Sequence, residues 1–167
     1  MRFIALSLLL VSFASAARIA DVTVPSNQRT NVVTGLGLVY GLKGTGDGGD
    51  FQPAIRMVAS ALQKFDNPVS VVDLKAVKNV ALVSLTATIP ATGGREGDPI
   101  DVYVTSLGAA GSLKGGRLFV TPMRGPIPGS GIFALSEGAL LLEDPSTPTV
   151  AVVKGGCVME SDLRSNY

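Results

Sequence analysis

The chain has 167 residues, of which 16% are charged and 5% aromatic, with one cysteine, no histidine and no tryptophan. This length suits one domain or two small ones. Because histidine is the commonest general base and metal ligand, its absence excludes Ser-His-Asp and Cys-His catalytic sites. The single Cys157 excludes an internal disulfide and a thiolate zinc site. A carboxylate site for Ca²⁺ stays open on composition alone.

The first sixteen residues have the pattern of a signal peptide. Arg2 supplies a positive charge, Phe3 to Phe13 is an apolar run, and Ala14-Ser15-Ala16 fits the small-residue cleavage rule. We predict cleavage between Ala16 and Ala17 and export of the mature chain; a buried N-terminal helix is the alternative. Loss of Arg2 leaves 13 basic residues against 13 acidic ones, so the mature chain is predicted to be neutral. A neutral chain gives no support for nucleic-acid binding.

The first part of the mature chain contains two predicted strands and then the one convincing helix. Ile19 to Val24 is a predicted strand that ends at Pro25, and Val32 to Leu42 predicts a longer strand or hairpin. Asp50 is a candidate N-cap, because its carboxylate can accept the free amides of a first helical turn. The helix is predicted near residues 51–65 because apolar residues recur there at helical spacing: Ile55, Val58, Ala59, Leu62 and Phe65.

The rest of the chain is strand-like and is interrupted by loops rich in glycine and proline. From Ala81 to Ile89 every odd position is apolar, and Ser84 and Thr86 are among the even ones, which is the alternation of a strand with one wet face. We therefore predict a β-rich α+β domain with mixed or antiparallel strands and one main helix. The further predicted strands are Val69 to Val72, Ile100 to Thr105, Leu118 to Thr121, Ile132 to Leu142 and Thr149 to Val153.

Residues 33–47, VTGLGLVYGLKGTGD, hold closely spaced glycines around an apolar, strand-like core. A dinucleotide-binding fingerprint would need a third glycine where Tyr40 stands, and a Walker loop would need its lysine directly after Gly41. The segment therefore favours glycines at bulges or close backbone approaches over phosphate binding. The structural glycines predicted on this basis are Gly35, Gly37, Gly41, Gly44 and Gly46.

Six segments follow one another in order behind the predicted signal peptide: ARIADVTV from Ala17, VTGLGLVYGLKGTGD from Val33, KNVALVSLTATIP from Lys78, IDVYVTSLG from Ile100, SLKGGRLFVTPMRG from Ser112 and IFALSEGALLL from Ile132. Together they resemble the flagellar basal-body P-ring protein family of Gram-negative bacteria. The resemblance covers the N-terminal half of the family pattern. It predicts a signal peptide at 1–16, a β-rich P-ring-like domain at 17–143, and a link with the start of a C-terminal half at 144–167.

The resemblance implies a structural role in the periplasm, without an enzyme activity or a cofactor. P-ring subunits associate into a ring around the distal rod and, with the outer-membrane L ring, form a bushing for the turning rod. The partners it implies are other copies of the chain, the rod, the L-ring protein, peptidoglycan and a periplasmic assembly chaperone of the P ring. The alternative is an exported cell-wall or outer-membrane binding or adaptor module derived from the same family.

Basic residues are the candidates for contact with the rod or the cell wall, and Lys78 is the first choice because it lies inside a matching segment beside a strand start. The full set of basic candidates is Lys75, Lys78, Arg95, Lys114, Arg117 and Arg124. An enzyme would instead need a pair of carboxylates, for which the chain offers Asp47, Asp50, Glu96, Asp98 and Asp101.

Cys157 is predicted to be buried and inert, with an intermolecular disulfide as the alternative.

Overall fold

Six antiparallel strands form a closed barrel in the computed structural model, which describes residues 29–74 and 76–163. The elements are β1 (Asn31–Tyr40), α1 (Gln52–Gln63), β2 (Ala81–Ile89), β3 (Pro99–Ser106), β4 (Arg117–Arg124), β5 (Ile132–Ala139) and β6 (Val150–Met159). The strand order is β1-β2-β3-β6-β5-β4, and β4 pairs with β1 to close the barrel. The prediction of a β-rich α+β domain with one main helix is confirmed, and the strand pairs are antiparallel.

Aliphatic side chains from the strands fill the interior of the barrel. The alternation predicted for Ala81 to Ile89 is confirmed, because all five odd positions of β2 are fully buried. Burial of each valine, leucine or isoleucine side chain contributes about 1.5–3 kcal/mol before entropy is counted. Because inward side chains fill a barrel of this size, the interior is a packed core and functional surfaces must lie outside it.

The helix α1 packs on the outside of the barrel against β1 and β2 through Ala54 and Ile55. The predicted N-cap at Asp50 is wrong, because Phe51 occupies the cap position and no side chain caps the helix. Pro53 in the first turn has no amide hydrogen, and the Gln52 amide donates to the backbone carbonyl of Asp50. Few amides of the first turn are therefore free to donate a hydrogen bond to the carboxylate of Asp50. Within the described residues, no helix is long and apolar enough to cross a membrane.

The last strand differs most from the sequence prediction. β6 continues to Met159, beyond the predicted Thr149 to Val153, and pairs with both β3 and β5. The predicted domain boundary after residue 143 therefore lies inside the barrel. Gly155 and Gly156 interrupt the apolar alternation of β6, and the backbone of Gly155 has a φ of +59°, which explains why the strand looks shorter in the sequence.

Two other predicted strands have different outcomes. Val69 to Val72 is not a strand and lies in an irregular turn region, which shows that β-branched composition alone was insufficient evidence. The predicted strand Ile19 to Val24 lies outside the described residues, as do the predicted signal peptide and its cleavage site at Ala16 and Ala17. The strand predicted at Ile132 to Leu142 is shorter in the structure, because β5 ends at Ala139.

The antiparallel order places the loops at two opposite ends of the barrel. Connections between successive strands emerge alternately at one end and at the other. We call these the helix end and the flap end. The helix end consists of residues 41–74, 76–80, 107–116 and 140–149, and the flap end of residues 29–30, 90–98, 125–131 and 160–163.

Candidate functional site: the glycine segment and the two barrel ends

Gly35 and Gly37 lie where β1 approaches β4. A Cβ atom added at Gly35 would lie 2.9 Å from the sulfur of Met123. One added at Gly37 would lie 2.9 Å from Oγ1 of Thr121. Both distances are shorter than ordinary van der Waals contact, so the two glycines permit close approach at the seam that closes the barrel. The β1–β4 pairing shifts register within residues 34–39, the stretch that contains both glycines.

The other three glycines of the segment shape the loop that follows β1. Gly41 and Gly44 have φ values of +82° and +75°, in the left-handed region that other residues rarely adopt. A Cβ atom at Gly46 would overlap the carbonyl oxygen of Val80. The Gly46 amide also donates a 2.9 Å hydrogen bond to the Lys78 carbonyl oxygen, which holds the loop against the chain that enters β2.

Asp47 joins three segments of the helix end. Its Oδ2 accepts a 2.6 Å hydrogen bond from the Leu82 amide, and its Oδ1 accepts a 2.8 Å bond from the Ala110 amide. Its own amide donates to the Val80 carbonyl oxygen at 2.8 Å. The residue is 7% exposed, and a Cβ atom at Gly108 would overlap its carboxylate. Asp47 therefore stabilises the loops, a role that no local sequence pattern indicates, since the sequence alone offers it only as a potential catalytic acid.

Asp101, on the outer surface of the barrel, is held by hydrogen bonds and an ion pair. It accepts a 2.7 Å hydrogen bond from the Gly155 amide and a 3.0 Å bond from Nζ of Lys154. The Gly155 amide, and after it Lys154, lower the pKa of the Asp101 carboxyl group. Nζ of Lys154 also lies 3.6 Å from Glu143, and the bond with Asp101 raises the pKa of the lysine. These groups form an exposed ion-pair cluster that joins β3 to β6.

The remaining candidate acids serve local turns or are exposed. Oδ2 of Asp98 accepts a 2.8 Å hydrogen bond from the Arg95 amide, and the Glu96 amide donates to Asp162 at 3.0 Å. Asp50 is exposed at the start of α1. Among residues 29–74 and 76–163, no group of three or more acids and cysteines could hold a metal ion. The predicted carboxylates are thus distributed over separate parts of the barrel.

The structure divides the predicted basic contact residues between the two ends of the barrel. Three of them lie in the helix end or next to it: Lys78, Lys114 and Arg117. The other two, Arg95 and Arg124, lie in the flap end or next to it. All five are exposed. They cannot form one continuous patch, so each end must be considered as a separate surface. Lys75 lies outside the described residues.

An aromatic cluster covers part of the outer surface near the helix end. The rings of Tyr40 and Phe119 meet edge to face with centroids 6.3 Å apart, and those of Phe65 and Phe119 do so at 6.0 Å. Tyr40 is 41% exposed and Phe65 is 67% exposed. The helical spacing of the apolar residues grouped Phe65 with Ile55 and Leu62, so the cluster was not predicted from the sequence. Phe65 instead follows the end of α1 and reaches the outer face of β4.

Cys157 is fully buried in the barrel core, as predicted. Burial raises the pKa of its thiol, against a smaller opposing contribution from the hydroxyl group of Ser136. A buried, protonated thiol is a poor nucleophile. This environment favours the inert cysteine over the intermolecular disulfide.

Comparisons with known proteins place the chain in a family. The family described as Flagellar P-ring protein matches residues 18–167, a range that includes the entire barrel. A flagellar P-ring protein of Aquifex aeolicus is 37% identical over 97% of this chain and 47% of its own length. Those of Bdellovibrio bacteriovorus and Campylobacter jejuni are 38% and 36% identical, over 95% and 100% of this chain.

The chain spans about half the length of these curated relatives, 47% to 49% of each. The resemblance inferred from the six ordered segments is confirmed by matches that run through nearly all of the chain. Five of the six segments lie in the barrel: residues 33–47 contain most of β1 and the Asp47 loop, and the four segments after them contain nearly all of β2 to β5. The segment ARIADVTV lies outside the described residues. This chain is a member of the flagellar P-ring protein family.

Proposed function

We propose that this chain is a structural subunit of the periplasmic P ring of the flagellar basal body, where it forms, together with the L ring, a bushing around the distal rod. The observation that carries the proposal is the family match over residues 18–167, which spans all six strands. The most distinctive motif of the chain is residues 33–47. Its glycines permit close packing at the β1–β4 seam and shape the following loop, and its Asp47 holds that loop in place. A rigid shape is the property that a ring subunit requires.

A closed ring of identical subunits needs two different surfaces on each subunit, one of which binds the other on the neighbouring copy. The two barrel ends differ in chemistry in the way such a contact requires. Near the helix end lie the aromatic cluster and three of the basic candidate residues, Lys78, Lys114 and Arg117, which are exposed. The flap end carries the loop Gly125 to Gly131, with Ile127 64% exposed at its tip. Insertion of this loop into a neighbouring copy is the contact that we propose.

Contacts with a turning rod should be weak and easily exchanged. Exposed charge pairs contribute about 0–1 kcal/mol each, so scattered basic residues are suitable for this purpose. Lys78 is the first candidate because its backbone carbonyl is held by the Gly46 amide while its side chain is exposed. The rod, the L-ring protein, peptidoglycan and a periplasmic assembly chaperone are the partners that this function requires.

The test is basal-body purification and motility in a flagellated bacterium that lacks its own P-ring protein and produces this chain. We expect the chain to copurify with basal bodies and Lys78→Glu to reduce ring yield, by up to about fivefold if one contact of about 1 kcal/mol is lost. Lys64→Glu is the matched control, because Lys64 is also an exposed lysine near the helix end but is not a candidate contact. Equal yields from the two variants would contradict the role of Lys78. Binding to purified cell wall without copurification with basal bodies would favour the adaptor function.

A further inference from the structure

An apolar groove opens at the flap end of the barrel. Its volume is about 720 Å³, within the usual range for binding pockets. Residues 125–130 of the Gly125 to Gly131 loop, among them Ile127, form one part of its wall, and Val33, Phe133 and Leu163 also line it. Apolar side chains dominate this lining, so the groove is suited to aliphatic side chains.

The wall formed by the loop is held in place before anything binds. Oγ of Ser130 donates a 3.0 Å hydrogen bond to the Gly125 carbonyl oxygen, and the Ser130 amide donates to the Ile127 carbonyl oxygen at 3.1 Å. Pro126 and Pro128 fix two backbone angles of the same loop. A preorganised wall reduces the entropy lost when a segment binds.

One polar group in the groove lacks a partner. Asn31, at the start of β1, lines the groove and is 8% exposed. Its side-chain Nδ2 has no hydrogen-bond partner within the described part of the chain. Because a buried amide donor without an acceptor is unfavourable, the groove selects an occupant that brings a hydrogen-bond acceptor together with apolar side chains. An extended peptide has both, since its backbone carbonyls alternate with its side chains.

A suitable peptide lies just ahead of the described residues in the same chain. Residues 19–24, IADVTV, have the alternation of a strand, with Ala20, Val22 and Val24 on one side. Each of the six described strands already has two neighbours in the closed barrel, so none offers a free edge to a further strand. The four residues 25–28 join this segment to Arg29, which itself lines the groove, and span up to about 13 Å.

We propose that residues 19–24 of the same chain bind in this groove. Their apolar side chains at 20, 22 and 24 face the groove, and a backbone carbonyl of the segment accepts a hydrogen bond from Nδ2 of Asn31. The short covalent link gives the segment a high effective concentration at the groove, which favours it over the same segment of a second copy. The binding does not depend on ring assembly.

The test is disulfide scanning in the exported protein. Each of residues 19–24 is replaced in turn by cysteine and combined with Ile127→Cys in a Cys157→Ala background, then oxidised mildly at low protein concentration. We expect an intramolecular disulfide at positions 20, 22 and 24 and little at 19, 21 and 23. The matched control pairs Val22→Cys with Val72→Cys and should give no disulfide. Val72 lies at the helix end and is 66% exposed, close to the 64% of Ile127.

A second variant tests the acceptor. Asn31→Asp removes the donor while it keeps the shape, and we expect the rate of cross-linking at position 22 to fall about three- to tenfold, as for the loss of one hydrogen bond. Circular dichroism checks that the barrel is folded. Disulfides at all six positions alike, disulfides at none, or links only between copies would each overturn the proposal. An unchanged rate in folded Asn31→Asp would overturn the role of the amide.

Discussion

Asp47 accepts a 2.6 Å hydrogen bond from the backbone amide of Leu82, 35 residues further along the chain. The other oxygen of the same carboxylate accepts a hydrogen bond from the Ala110 amide, so one buried side chain joins the start of β2 to the connection between β3 and β4. This arrangement accounts for the acidic residue at the end of the glycine segment. It also links that segment to the loop that carries Lys78.

We expect Asp47→Asn to lower the free energy of unfolding by about 2–3 kcal/mol, because an amide has only one acceptor oxygen and leaves a buried backbone amide unsatisfied. Urea denaturation followed by circular dichroism measures the loss. Asp50→Asn is the matched control, because Asp50 is exposed and makes no side-chain cap. Equal stability of the two variants would contradict the structural role of Asp47.

Gly37→Ala should destabilise the barrel by about 1–3 kcal/mol, because the added methyl group has no space beside Thr121 at the β1–β4 seam. Gly111→Ala provides the comparison, since a Cβ atom there meets nothing within 4 Å. Its free energy of unfolding should be unchanged or raised by up to about 1 kcal/mol. Thermal denaturation of both variants distinguishes loss of packing from a general effect of glycine replacement.

The contribution of Asp101 to stability should depend on pH in the acid range. Its pKa is lowered in the folded protein by the Gly155 amide and by Lys154, so the carboxylate is stabilising above the ordinary value of 3.8. That contribution should disappear as the pH falls through 3.8 and then through the lower folded pKa. Urea midpoints of the natural protein and Asp101→Asn, measured from neutral pH into this range, should therefore converge. A constant difference at all pH values would argue against the ionised carboxylate as its source.

Cys157 should react with thiol reagents only after the barrel opens. Its side chain is fully buried and burial raises its pKa, so both access and the thiolate fraction are low. We expect labelling of the native protein to be at least about a hundredfold slower than labelling in denaturant, because reaction requires opening of the core. Val72→Cys, at a position that is 66% exposed and far from the flap end, supplies an exposed thiol as the control. A dimer on non-reducing gels that disappears with reductant would show that Cys157 is accessible.

Local sequence patterns predicted the elements with strong periodicity and indicated the family. The alternation of Ala81 to Ile89 predicted β2, because one face of that strand is in the core and the other is not. Helical spacing predicted α1 to within a few residues. The ordered segments indicated the family, because six matches in one order are more specific than any single motif.

The closed barrel, the role of Asp47 and the groove at the flap end depend instead on contacts between residues far apart in the chain. The two amides that bind Asp47 lie 35 and 63 residues away, and no local pattern encodes such distant contacts. The extent of β6 was also hidden, because Gly155 and Gly156 interrupt its alternation while its neighbours β3 and β5 hold it in the barrel. Local periodicity reports which face of an element is buried, whereas pairing between distant strands decides what that face meets.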